Sequence, residues 1–479
     1  MQVIHPTILT RSTKAVALKL LIALLVPMIA ISPASATDLM EVWRAAQLHD
    51  LDYNAAISEH KAGLSKQDQA SSLWRPSVQL TGTAGKMTSN TETQGAQFSA
   101  PGLSSRTGVA FNTLVSNGNL ERWAVSAKQP LINRDRLAQS RQLNLTAEAS
   151  DLEWQVARQS LILRTAERYF DVVLAQESLQ VLRCQADSIK QSLGEIKARF
   201  QLGDVPITDT HEAMARMATV EAELISAESE LQLKLAALAD ATGIPPDKLI
   251  VMKPSRALPS AGKSLEEWLS EVSQNNPELR MSQTRVEIAR EESMHYGALS
   301  SPTLDLVGEV SHDHLSGSGD FGAASNTGRN ALLGVQLTIP LYTGGYRNAR
   351  QNESAALADK SMNEYDRARQ QVALKTRSVW LGLTSGSSRI IALAASLKSN
   401  EARLSATRLG NKVGDRTTLD VLNAENDAAN ARLSWMQARI AQAMDRLRLD
   451  ALAGKLEEDQ LHMINRILES DNSENGMDN

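Results

Sequence analysis

Val413-Gly414-Asp415-Arg416-Thr417-Thr418-Leu419-Asp420 repeats, at an offset of 211 residues, the pattern of Leu202-Gly203-Asp204-Val205-Pro206-Ile207-Thr208-Asp209. Each octet follows a long proline-free stretch and reads as a turn between two helices, with its aspartate near the start of the second. Working outward, Gln129-Pro130-Leu131 answers to Ile339-Pro340-Leu341, Arg75-Pro76-Ser77 to Ser301-Pro302-Thr303, and Trp43 to Trp268. The offsets are near 225 before Gly82 and near 210 after Pro130, so the first copy carries a longer insertion between those points. Such internal repetition decides the architecture before any single motif is weighed.

Each copy has the same order: a helix, a pair of strands, a very long helix, a turn and another helix. The first repeat occupies residues 37–260, with strands over about 76–131 and long helices over about 135–242. The second occupies 261–460, with strands over about 302–342 and helices over about 347–453, and a polar tail fills 461–479. Residues 137–201 contain no proline, nor does any position after Pro340. A helix over 137–201 would reach about 100 Å at about 1.5 Å per residue, more than a compact domain needs. Met217, Leu224, Leu231 and Leu238 recur every seven residues, as do Leu433, Ile440 and Leu447, while Ile189, Leu193, Ile196 and Phe200 step by four, three and four. One such stripe also suits an ordinary globular bundle. Repeated along helices of this length, the stripes describe coiled-coil seams.

The strand segments alternate apolar with small or polar residues, as in Val78-Gln79-Leu80-Thr81-Gly82 and Gly334-Val335-Gln336-Leu337-Thr338-Ile339. Period two marks a strand with one apolar face. Strands of about 9–11 residues, separated by polar loops at 89–107 and 311–330, suit the wall of a membrane barrel. One chain offers only four, so an edge-free barrel needs neighbouring chains to close it.

Bulk properties narrow the setting. Arg11, Lys14 and Lys19 precede the apolar stretch from Leu20 to Val26, and Ala34-Ser35-Ala36 follows, so residues 1–36 read as a secretory signal cleaved after Ala36. No later segment is a long uncharged apolar run, so a mature chain integral to a membrane must use strands. The single cysteine, Cys184, excludes an internal disulfide and reads as a small buried apolar residue in a helix. A net charge of -5 supplies no basic field for a polyanion, which excludes nucleic acid as a partner.

Several strings imitate chemistry. Gly317-Ser318-Gly319-Asp320-Phe321-Gly322 satisfies a dinucleotide fingerprint but follows a barrel-type strand, without the strand-turn-helix setting that cradles a pyrophosphate; it reads as a surface loop. His211-Glu212 opens like a zinc-protease helix, but the residue four after His211 is Ala215. His312 and His314 share a strand face and could catch a metal only adventitiously, with no cysteine or further histidine nearby. No nucleophile, base, cofactor or metal motif remains, and an enzyme is the poorest reading.

The duplicated pattern, from about Asp38 to about Leu456, resembles the TolC-like outer-membrane factor family. Three stretches carry the resemblance: Arg199-Phe200 through Gly203 to Ile207-Thr208-Asp209, Val413 through Leu422, and Pro340-Leu341-Tyr342-Thr343-Gly344-Gly345. The resemblance implies a mainly helical fold with a membrane β-barrel. In it a homotrimer in the outer membrane forms a 12-stranded barrel continued by a periplasmic α-helical tunnel. It implies a channel-tunnel for type I secretion or efflux, with a periplasmic adaptor docking at the helix-turn tips, here Gly203, Asp204, Gly414 and Asp415. Behind it would stand an inner-membrane ABC or proton-driven transporter. It makes the turns at 203–208 and 414–418 a periplasmic gate: Asp420 rings the narrowest point, and Arg416, Thr208 and Asp209 link neighbouring helix pairs. Asn423 departs from the family where a second acidic ring is common, and Asn411 departs where an aromatic hydroxyl often completes the link to Asp209. On position alone, Asp209 and Asp420 also suit the positive end of a helix. The rival from another class, a soluble periplasmic coiled-coil adaptor, shares the signal and the heptads but gives no reason for four strands.

Overall fold

The computed structural model describes residues 38–99, 101–245, 262–466 and 468. The expected signal with its cleavage point at Ala36, the junction between the repeats at 260, and the tail beyond 468 lie outside the described residues. In chain order the first copy forms α1 (Leu39–His49), α2 (Leu51–Ser72), β1 (Ser77–Phe98), β2 (Arg106–Ile132), α3 (Arg134–Gln201) and α4 (Ile207–Thr242). The second forms α5 (Leu265–Asn275), α6 (Pro277–Ala298), β3 (Thr303–Gly319), β4 (Gly322–Thr338), α7 (Tyr346–Lys412) and α8 (Thr418–Leu452), and α9 (Glu458–Arg466) follows.

The first helix of each copy is split in two by a residue that ends one helix and caps the next. Asp50 accepts from the Tyr53 amide, and Asn276 accepts from the Leu279 amide with Pro277 at the first helical position. A side-chain acceptor there satisfies a helix-start amide that no carbonyl reaches, and proline costs nothing where no amide partner exists. The short helices so aimed bury their tryptophans in the flanks of the long ones. Trp43 joins Tyr169, Phe170, Leu238 and Leu447, while Trp268 joins Val372, Leu383 and Leu449. Burial of a large apolar side chain stabilises by about 1.5–3 kcal/mol, so each tryptophan is a principal anchor of its copy.

The long helices α3 and α7 run 68 and 67 residues, about 100 Å each. They are not equivalent in burial. α3 carries a continuous buried face, including Leu152, Leu161, Phe170, Leu179 and Ile189, because α2, α4, α6 and α8 all pack on it. α7 buries only Ser354, Val372, Thr376 and Leu383 and leaves Leu374, Leu381, Ile391 and Leu409 exposed. Along the seams Leu238 and Leu447 are buried and Ile189 packs with Val220 and Leu422, whereas Phe200, at the very end of α3, is exposed.

The sheet is antiparallel in the order β1-β2-β3-β4, leaving β1 and β4 as open edges. Its two faces differ in chemistry as period-two alternation requires. One face aligns Leu80, Val125, Val310 and Ala331 across the four strands, with Val78, Leu306, Leu333, Val335 and Leu337 nearby, most of them exposed. The other carries ion pairs: Lys128 to Asp305 at 2.8 Å, and Arg122 to Glu309 at 3.0 Å and Asp313 at 3.3 Å.

Four expectations need correction. The strands run 22, 27, 17 and 17 residues instead of about 9–11, and most of the stretches read as loops at 89–107 and 311–330 are paired strand. Polar and small residues dominate both faces of these extensions, so no apolar alternation betrays them, and the backbone ladder is supplemented by cross-strand side-chain bonds such as Asn330 Nδ2 to Asp313 Oδ2 at 3.1 Å. The string from Gly317 to Gly322 is the end of that ladder, Gly319 pairing with Gly322 across the turn, and not a loose loop. Cys184 is exposed on α3, not buried. The tail from 461 does not begin as a polar appendage: Leu461 and Ile464 of α9 are buried in the Trp43 cluster. There Asn465 accepts from the Leu39 amide at 3.0 Å and donates to Asp38 Oδ2 at 3.1 Å, joining the two ends of the described chain. Among the described residues no helix is long and apolar enough to cross a membrane.

Candidate functional site

Both helix turns stop in the same way. Gly203 at φ 83° and Gly414 at φ 84° adopt the left-handed conformation that L side chains resist. In each, the following amide reaches back to close the helix: Asp204 N to Arg199 O at 2.9 Å, and Asp415 N to Gly410 O at 2.9 Å. Gly203, Asp204, Gly414 and Asp415 are all exposed at the tips.

The helices then restart differently. α8 begins with a reciprocal cap, in which the Asp420 amide donates to Thr417 Oγ1 at 3.1 Å and the Thr417 amide donates to Asp420 Oδ2 at 2.9 Å. The Thr417 hydroxyl donates to the same oxygen at 2.9 Å. These hydrogen bonds, with the Arg416 guanidinium nearby, hold the Asp420 carboxyl below its ordinary value, so it is ionised at neutral pH. α4 starts at Pro206 with no side-chain cap, and Thr208 Oγ1 only grazes Asp209 Oδ1 at 3.4 Å.

Of the residues singled out from sequence, Arg416, Asn411 and Asp420 come together in one turn. Asn411 Nδ2 donates to the Arg416 carbonyl at 2.9 Å, so its amide braces the turn from within. Thr208 and Asp209 stand in the other turn, and among the described residues no hydrogen bond or ion pair joins either to Arg416 within one chain. Asn423 is exposed on α8, three residues beyond Asp420.

What the sequence reading missed is the clamp that holds the two hairpins together behind their tips. Glu177 of α3 is fully buried and pairs with Arg432 Nε of α8 at 2.6 Å. Glu425 of α8 is buried, pairs with Arg408 of α7 at 2.8 Å and accepts from the Ser188 hydroxyl of α3. Its Oε2 is buried without a partner among the described residues. Around them a cleft of about 290 Å³ opens between α3, α7 and α8, lined by Gln180, Cys184, Ser188, Arg408, Glu425 and Arg432. The signal was available: Glu425 interrupts the apolar face of Val421, Leu422, Ala424 and Ala428 at helical spacing, where a carboxylate needs a partner.

A duplicated chain with long paired helices and a four-stranded sheet of one apolar face is the arrangement of a family of envelope channels. A family model described as outer membrane efflux protein matches residues 42–244 and 268–455, the two copies described above. The chain belongs to the outer membrane efflux protein family. Outer membrane protein TolC of Escherichia coli (strain K12) is 26% identical over 449 residues, covering 91% of this chain and 86% of that protein. The proteases secretion protein PrtF of Dickeya chrysanthemi is 26% identical over 433 residues, covering 89% and 90%. The crystal structure of the outer membrane protein VceC from Vibrio cholerae shares the fold at a TM-score of 0.68 with 18% identity, covering 88% of this chain and 97% of that one. As an efflux-family protein the chain resides in the outer membrane with a periplasmic extension, and it is an exit duct for efflux or type I secretion.

Proposed function

We propose that three copies of this chain close into one duct, a 12-stranded barrel carried on a periplasmic tunnel of helices, that passes substrates without chemistry of its own. The observation that supports it is the sheet: β1 and β4 are both open edges on a sheet whose apolar face is bare. Unpaired edge groups in lipid cost several kcal/mol each, so the edges must meet other edges. Three sheets of four strands, joined β4 to β1, remove every edge. The exposed apolar residues of α7 point the same way, as a helix face built for a neighbouring copy.

On this reading the turn at 413–420 lines the periplasmic aperture, where three Asp420 carboxylates favour cations over anions. Arg416, Thr208, Asp209 and Asn411 tie adjacent helix pairs in the closed state. The linkage between Arg416 and Asp209 runs between chains, consistent with its absence within one. The exposed tips at Gly203, Asp204, Gly414 and Asp415 meet a periplasmic adaptor, behind which an inner-membrane ABC or proton-driven transporter supplies the substrate. The outer-membrane lipid meets the apolar face of the sheet.

The test is the purified protein in mild detergent and in planar bilayers. A trimer of low conductance is expected for the parent, and Arg416→Ser should raise the open-pore conductance several-fold with the trimer intact. A folded monomer would end the duct reading, and a trimer whose conductance ignores Arg416→Ser would move the gate elsewhere.

A further inference from the structure

One cross-strand row on the apolar face of the sheet breaks its pattern. Gly82, Trp123, His312 and Arg329 stand directly opposite one another on β1, β2, β3 and β4. The row before it, Leu80, Val125, Val310 and Ala331, is apolar throughout, and the row after it, Ala84, Glu121, His314 and Thr327, is largely polar. The change from apolar to polar therefore falls on this row. In the other direction the apolar residues continue to the exposed Leu341 and Tyr342. At a strand's rise of about 3.3 Å per residue, Ala331 to the end of β4 at Thr338 is about 23 Å, and the three further positions to Leu341 bring the reach to about 33 Å at most. At a strand tilt near 40° this gives a height of about 25 Å, that of the lipid-facing band of an outer-membrane barrel. The row lies at the end away from the helices. Since the helices are periplasmic, it marks the outer leaflet's headgroup level, with Trp123 and Tyr342 at the two interfaces where amphipathic rings settle.

The side chains of this row make a small site. Trp123 lies flat over Gly82, where a Cβ would sit 2.6 Å from the indole Cζ3, so the ring is laid down on the sheet instead of standing off it. This leaves a recess of about 440 Å³ lined by Leu80, Trp123, Val125, Val310, His312 and Arg329. Its floor is apolar and its outer rim carries the guanidinium and the imidazole. The Arg329 side chain is exposed, and its guanidinium has neither a hydrogen bond nor an ion pair among the described residues. On the opposite face of the sheet Arg122 has Glu309 and Asp313, and Lys128 has Asp305. The neighbouring carboxylate on the same face, Glu121, pairs across the ladder with His314, one row farther out and two strands from Arg329.

We propose that Arg329 and His312, with Trp123 beside them, bind a phosphate monoester of an anionic lipid headgroup in the outer leaflet, its first acyl methylenes lying on Leu80, Val125 and Val310. The inference rests on the closed-barrel reading, which turns this face to lipid. A guanidinium at the edge of a low-dielectric layer requires an anion, and its planar fork matches two phosphate oxygens at once. The anion found at that depth and on every side of a barrel is the headgroup phosphate. An apolar floor below a cationic rim fits an amphiphile and not a free ion.

The full-length protein, solubilised in mild detergent and titrated with bisphosphorylated lipid A, tests this by native mass spectrometry of the retained lipid. The parent should retain lipid A in preference to phosphatidylethanolamine, and Arg329→Gln should weaken that retention about five-fold, the usual contribution of one basic side chain to anionic-lipid attraction. Arg106→Gln, an equally exposed cation near the hairpin tip, should change nothing. Excess inorganic phosphate should not displace the lipid. Equal loss in both variants would make the effect a diffuse field, no loss in Arg329→Gln would remove the site, and displacement by phosphate would make the ligand a free anion; each overturns the proposal. Carbonate washing keeps the two readings apart. Parent and Arg329→Gln should both stay with the outer membrane, whereas release of the parent would fail the barrel itself and with it the face on which the site stands.

Discussion

Turns 202–209 and 413–420 share a stop and differ in the restart. Gly203 and Gly414 have nearly the same positive φ and the same backward hydrogen bond, but only α8 opens with a two-way side-chain cap. The duplication therefore preserved the geometry that reverses the chain and let the second helix start diverge. The more firmly capped start is the one carrying Asp420 and Arg416, so the turn proposed to line the aperture is also the one held more rigidly by its own chain.

The largest effect should come from the shared element. Gly414→Val forces a β-branched side chain into a left-handed position and should cost about 1–3 kcal/mol locally. Hydrogen exchange of the amides after residue 414 should accelerate accordingly, and Gly203→Val should do the same at its own turn. Unequal costs would show that the two stops are less alike than their angles.

A smaller effect isolates the difference. Thr417→Ala removes the cap and should destabilise the first turn of α8 by about 1 kcal/mol. Thr208→Ala, which loses only a marginal contact at 3.4 Å, should stay within about 0.5 kcal/mol. Exchange at the two helix starts, measured in the same trimer, compares them directly; equal responses would erase the asymmetry.

The smallest effect is in pH. Because the Thr417 hydrogen bonds lower the Asp420 carboxyl from its ordinary value near 3.8, its ionised form stabilises the folded turn. That stabilisation is whole above pH 3.8 and fades as the pH falls through the lowered value. Exchange of the Asp420 and Val421 amides, corrected for intrinsic rate, should rise over that acid range in the parent and stay flat in Asp420→Asn. The same variant should lose cation preference in bilayers while retaining most of its cap. It is a cleaner probe than alanine, which would remove the charge and the return hydrogen bonds from Thr417 together.

Much of this architecture was legible because it is periodic. The seven-residue steps from Met217 to Leu238, the freedom from proline and the repeated glycine-aspartate turns each constrain the backbone directly. The strand extensions were not legible, because Ser, Thr, Asn and Gly on both faces carry no alternation and look like loop. The positions of Arg416 and Asp420 in one turn followed from their spacing, but the reciprocal bonding of Asp420 with Thr417 depends on backbone angles that spacing does not specify. Glu177 and Glu425 are not legible as buried groups because a charge on a helix is ordinarily solvated, and only the crossing of α3 with α8 shows that these two are not. The end of the chain looked polar because its charged residues outnumber Leu461 and Ile464, yet those two, three positions apart, suffice for one buried helix face.

The clasp between Asn465 and the start of α1 spans 426 residues of sequence, which makes it among the last contacts a growing chain can form. Before α9 arrives, the Leu39 amide lacks its acceptor, and the cluster around Trp43 is open where Leu461 and Ile464 will lie. A chain that ends early is left with an apolar groove along its first helix, the kind of surface that chaperones and proteases engage. The helix α9 thus shields the start of α1 only when everything between them has been made.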